Sequence, residues 1–150
     1  MLTSPMDLSR VYDVLNELLA AEQSSLLPRL VECSAFVPTT EAIDAQKVEQ
    51  MAAAQQACVG RLAETLLDLG GEARPFTGDI AFARFHYVDL DTLLPHALAG
   101  EEALASKYQA ALDDLSNCPR AAAMAAEIGT HHRVWAEALR KVANRAVISS

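Results

Sequence analysis

A chain of 150 residues can be served by one hydrophobic core, so a single domain over 1–150 is expected and two domains are not. Hydrophobic residues make up 51% but aromatics only 5%, with abundant alanine; that suits closely approaching helices rather than a β-sandwich rich in aromatic and β-branched residues and favours an all-α fold. A net charge of -8, with the 12 Lys and Arg scattered singly, excludes the basic stripe that nucleic-acid binding uses.

In chain order, the first element is read from Leu8, Val11, Leu15, Leu18, Glu22, Leu26 and Leu30, which recur at the steps of three and four that line up one helix face. The first helix is expected over about 9–35, with Ser9 as its N-cap and a bend at Pro28, which lacks a backbone donor. Val37-Pro38-Thr39-Thr40 reads as the turn that follows. The second helix, about 40–69, carries the stripe Val48, Met51, Gln55, Cys58, Leu62, Thr65 and Leu69, and Gly70-Gly71 closes it.

From Glu72 to Asp91 the period lapses, and Phe82, Phe85 and Tyr87 cluster there. A structureless connection of that length is unusual in a compact domain. It is therefore expected to cross the bundle and pack its aromatics on it, with a short helix near Ile80–His86, which leaves the second and third helices parallel. The third helix, about 92–115, has the stripe Leu94, Leu98, Glu101, Ala105, Tyr108, Leu112 and Leu115, with Pro95 in its first turn. Asn117-Cys118-Pro119 opens the fourth, about 119–146, with the stripe Ala125, Ile128, His132, Trp135, Leu139, Val142 and Ala146 and a frayed end. Two short connections around one long one describe an up-down pair, a crossover and a second pair.

The opening Met1–Asp7 lacks the pattern of a leader peptide, and no apolar stretch reaches the roughly 18–20 residues of a membrane span, so a soluble cytoplasmic protein is expected. Cys33, Cys58 and Cys118 form no CxxC pair and read as reduced buried thiols.

Each stripe is broken by polar residues: Glu22, Gln55 with Cys58, Glu101, and His132. In a bundle these converge on one level and form a buried polar layer. An uncompensated buried carboxylate is costly, so a metal ion, a hydrogen-bond network, trapped water, or protonated carboxyls paired with the histidine has to satisfy it. His131 and His132 are adjacent, so only one points squarely inward, and His132 lies on the apolar stripe. His86 and His96 read as surface or hydrogen-bonded residues, Trp135 and Tyr108 as core, and the pairs Asp113-Asp114 and Glu101-Glu102 as mostly solvated faces.

The phrases Asn16–Glu22, Arg61–Gly71, Leu98–Ala103 with Tyr108, and His132-Arg133-Val134-Trp135 resemble, in order and placement, the ferritin-like superfamily, especially its rubrerythrin- and bacterioferritin-related members. The resemblance covers nearly the whole chain. It implies a four-helix bundle in which the first and third helices each supply a Glu, and the second and fourth each an ExxH pair, to two irons. Glu22 and Glu101 match, with Glu102 as the alternative to Glu101, but Gln55 and Cys58 stand in the second helix and Gly129 and His132 in the fourth.

These departures leave two bridged irons unsupported. The first expectation is therefore a ferritin-like protein without di-iron oxidase activity, a homodimer through its helix faces, with a structural, regulatory or protein-binding role. A second is a metal-binding protein or metal-dependent oxidoreductase holding one zinc or iron ion on Glu22, Cys58, Glu101 and His132. A third is a di-iron oxidase with shifted ligands drawn from Glu17 or Glu22, Glu101, Glu102, Glu127 and His131.

Overall fold

The period of three and four becomes helix faces in the computed structural model, which describes residues 8–27, 42–75 and 90–149. Among them are four α-helices and no strand: α1 Ser9–Gln23, α2 Ala42–Asp68, α3 Leu90–Asp114 and α4 Pro119–Ser149. None is long and apolar enough to cross a membrane.

Helix α1 differs from expectation at both ends. Leu8, not Ser9, is the boundary residue, with no side-chain cap bond, and its carbonyl takes the Tyr12 N–H at 2.8 Å. The helix stops at Gln23 instead of running to about residue 35. The cause is the Ser24-Ser25 pair. The Ser24 N–H bonds the Ala20 carbonyl at 3.0 Å, its hydroxyl the Ala21 carbonyl at 3.0 Å, and the Ser25 N–H the Glu22 carbonyl at 3.1 Å. Serine offers the last carbonyls partners that compete with continued helix. Leu26 and Leu27 remain buried beyond this turn, so the apolar period outlasts the helix. The remainder of the expected first helix with Pro28, Cys33 and the turn at residues 37–40 lie outside the described residues.

Helix α2 ends as the glycines require. Gly70 adopts φ +92, the Gly71 N–H reaches the Leu66 carbonyl at 2.9 Å, and the Gly70 N–H reaches that of Leu67 at 3.0 Å, a Schellman closure. A Cβ on Gly71 would stand 2.7 Å from Leu66 Cδ1 and from Tyr12 Cδ1, so glycine also lets α1 approach. The chain leaving α2 is clipped to α1 by buried Asn16. Its Nδ2 donates to the carbonyls of Tyr12 and Glu72, both at 3.0 Å, and its Oδ1 accepts the Arg74 N–H at 2.7 Å. The Tyr12 hydroxyl donates to the Leu69 carbonyl at 2.7 Å, and Arg74 pairs with Asp13. The expected crossing segment with Phe82, Phe85, His86, Tyr87 and its short helix lies outside the described residues.

Helix α3 begins at Leu90, which places Pro95 a turn deeper than the first-turn position the sequence suggests. Pro95 thus denies the Asp91 carbonyl its helical donor. Complete burial of Leu93 and Leu94 beside it shows what offsets that loss, since packing outweighs local propensity. Helix α4 opens at Pro119, as expected, and continues through Ser149, past the fraying expected after Ala146.

Helix α1 packs on α2 and α3, and α4 packs on α3 and α2. Exposed ion pairs mark the register: Arg10–Asp114 at 3.0 Å, Arg120–Asp68 at 2.7 Å, Arg61–Glu127 at 3.0 Å and Arg140–Glu102 at 2.8 Å. Solvent-exposed pairs of this kind contribute little, so burial of residues such as Leu15, Leu62, Leu66, Ile128 and Leu139 holds the helices together.

Replacing Asn16 by Ala removes all three of its bonds and leaves the Glu72 carbonyl and the Arg74 N–H without their side-chain partner. Urea unfolding is expected to show a loss of about 1–3 kcal/mol, against less than about 0.5 kcal/mol for Leu67→Ala at an exposed position.

Candidate functional site

Inside the bundle, Glu22 of α1, Gln55 of α2, Glu101 and Tyr108 of α3, and His132 of α4 meet with at most 2% exposure each. Because α1 is short, Glu22 sits in its last turn rather than mid-helix, where the helix dipole disfavours a carboxylate. Three donors compensate. The Tyr108 hydroxyl donates to Glu22 Oε1 at 3.0 Å, Gln55 Nε2 donates to Glu22 Oε2 at 3.1 Å, and His132 Nε2 bonds Glu22 Oε1. Gln55 Nε2 also donates to Ser25 Oγ at 2.9 Å, so the serine that ends α1 carries part of the layer. Ser25 lines a cavity of about 640 Å³ between the end of α1 and α3, together with Leu26, His96, Leu104 and Lys107.

The other ring nitrogen of His132 faces Glu101 Oε2 at 2.6 Å. The imidazole is therefore held at both ends by carboxylates, and only its protonated form donates from both nitrogens. Burial alone pushes His132 toward neutrality, but the bonds to Glu101 and Glu22 outweigh it and raise its pKa to about 9. Burial raises the Glu101 carboxyl, against the pull of His132. Burial and the nearby Glu22 charge hold the Tyr108 phenol well above its ordinary range, so it serves as a donor.

Aromatic rings wall the imidazole. Tyr108 stacks on it with centroids 5.4 Å apart, and Trp135 meets it edge-on at 5.1 Å. Gly129, one turn before His132, faces Tyr108: a Cβ there would lie 3.0 Å from Tyr108 Cβ. Two buried oxygens, Glu101 Oε1 and Gln55 Oε1, have no hydrogen-bond partner.

Of the residues singled out in the sequence, Glu22, Gln55, Glu101 and His132 come together. Cys58 is a buried free thiol on the same side of α2; burial, reinforced by Glu22, pushes it up to about 11, so it is a thiol at neutral pH. Glu102, Glu127, His131 and Glu17 are exposed and outside the layer. Glu102 pairs with Arg140, Glu127 with Arg61, and His131 stacks on Trp135 with centroids 5.6 Å apart. Glu101 thus departs from the solvated face expected for Glu101-Glu102, whereas Glu102 fits it. Asp113, Asp114 and His96 are exposed, as expected.

Ser25 is a member of the site that the sequence pattern does not single out, while Tyr108, expected as core, and Gly129, expected as a ligand position without a side chain, both join it. Tyr108 follows Glu101 by seven on one stripe, a spacing that carried the signal. Among the described residues no group of three or more His, Cys, Asp and Glu side chains is arranged to hold a metal ion. The chain matches no family model, no curated protein and no solved structure.

His132 binds its proton more tightly in the folded chain than at its ordinary 6.5, so its contribution is complete below that pH and is lost as pH rises through about 9. The raised Glu101 acts in the same direction at lower pH. The urea midpoint is expected to fall between neutral pH and about 9.5, and the fall should be largely absent in His132→Gln. A midpoint that is flat or rises over that range in the unsubstituted protein would contradict this assignment.

Proposed function

We propose that the chain is a ferritin-like four-helix bundle whose inner layer holds a proton where a pair of irons would sit, and that it serves as a structural, regulatory or protein-binding module instead of a di-iron oxidase. The ion-pair register supports the fold reading. Arg10–Asp114 sets the start of α1 beside the end of α3, and Arg120–Asp68 sets the start of α4 beside the end of α2. The Tyr12–Leu69 bond does the same for α1 and α2, which supports a parallel pairing of α2 and α3.

One observation carries the functional reading: both ring nitrogens of His132 are taken by carboxylate oxygens. A metal needs a free imidazole lone pair, and two irons need several carboxylate and imidazole ligands. Gln55 turns a neutral amide toward Glu22, Cys58 is a protonated thiol, and Gly129 has no side chain. The donor set therefore does not fit a di-iron pair.

A mononuclear site on Glu22, Cys58, Glu101 and His132 is the second reading, favoured by the unpartnered oxygens of Glu101 and Gln55. It requires His132 to surrender one carboxylate and Cys58 to lose a tightly held proton.

Anaerobically purified protein loaded with Fe(II) and exposed to air is expected to develop no oxo-bridged iron absorption and to retain no more iron than Glu22→Gln after desalting. Two retained irons per chain with that absorption would overturn the reading. One retained ion, lost in Glu22→Gln, would favour the mononuclear alternative.

A further inference from the structure

The side chain best placed to decide what the layer can hold is Tyr108. Its hydroxyl occupies Glu22 Oε1 at 3.0 Å, the same oxygen that His132 Nε2 bonds, so both acceptor directions of that oxygen are used inside the protein. Its ring lies 5.4 Å from the imidazole at an interplanar angle of 28°, covering one face of it. Its Cβ stands 3.0 Å from where a Cβ on residue 129 would be, and both atoms are fixed close to helix backbone. No flexible end can swing aside there, so a side chain at 129 would need α3 and α4 to give by a few tenths of an ångström. Position 129 precedes His132 by one turn on the same face, the place from which α4 would add a second ligand beside the imidazole.

We infer that Tyr108, closed against Gly129, is the positioning residue that keeps divalent metal out of this layer, by holding Glu22 to His132 and filling the space a coordinated ion and its ligands would need. The inference rests on the proton-bridged reading above. Tyr108 is not itself a ligand in this arrangement, because its phenol is a donor to Glu22. It excludes metal by keeping Glu22 Oε1 occupied and by removing volume.

The test is titration of the full-length protein with Co(II), whose visible absorption reports coordination geometry, alongside circular dichroism as a check of folding. The unsubstituted protein is expected to show no saturable cobalt spectrum. Tyr108→Ala is expected to bind about one cobalt per chain with visible bands, and Tyr108→Ala combined with Glu22→Gln is expected to lose them. Tyr108→Phe releases the Glu22 oxygen but keeps the ring, and should bind at least about tenfold more weakly than Tyr108→Ala.

A purely structural Tyr108 would lower the melting temperature of both variants without producing a cobalt spectrum. A folded Tyr108→Ala that binds no cobalt therefore overturns this inference and leaves the proton-bridged reading standing. Stoichiometric cobalt bound by the unsubstituted protein and lost in Glu22→Gln would overturn the proton-bridged reading itself. Should Tyr108→Ala fail to fold, Tyr108→Phe carries the test: weak saturable binding that depends on Glu22 supports the inference, and none overturns it.

Discussion

Two carboxylates buried in one bundle layer repel each other and lose their hydration, a cost of several kcal/mol per ion that nothing apolar can offset. In this protein the compensation centres on one imidazole, with Tyr108 and Gln55 adding donors to Glu22. His132 reaches Glu22 on α1 through Nε2 and Glu101 on α3 through Nδ1, so one side chain of α4 joins three helices, and Gln55 brings in the fourth. Such a bridge adds little net stability over an apolar core of the same shape, but removing one member leaves an unpaired buried charge. The layer therefore fixes which helix faces meet and at what register, while the surrounding leucines supply the bulk of the burial.

The bridge also accounts for features around it that look unrelated. Glu22 tolerates the unfavourable end of α1 because it receives three hydrogen bonds. Ser25, placed by the early end of α1, supports the amide of Gln55. Gly129 lets α3 and α4 close on Tyr108, whose hydroxyl completes the shell of Glu22. Glu101 is the less secured carboxylate, with one buried oxygen unpartnered.

The four helices and the inward residues Glu22, Gln55, Glu101 and His132 were legible in the sequence, because a polar side chain at a core position of a regular stripe is tolerated only where partners meet it across the core. The end of α1 was not: Leu26 and Leu27 keep the apolar period going, while the hydroxyl and backbone bonds of Ser24 and Ser25 that stop the helix leave no periodic signature. Tyr108 was hidden by its chemistry, since an aromatic in a stripe fits the core equally well. Gly129 was hidden because a missing side chain reads as a missing function, whereas its role is the close approach it permits. Pro95 shows the same limit from the other side, as a local rule overridden by the packing of Leu93 and Leu94.

The central claim is that His132 is an imidazolium bridging Glu22 and Glu101, and nitrogen NMR of the protein labelled with 15N-histidine tests it most directly. At neutral pH both ring nitrogens of His132, assigned by comparison with His132→Gln, should carry protons and show the shifts of an imidazolium, and that state should persist until the pH approaches about 9. A neutral ring at neutral pH, with one nitrogen bare or coordinated to a metal, would contradict the account.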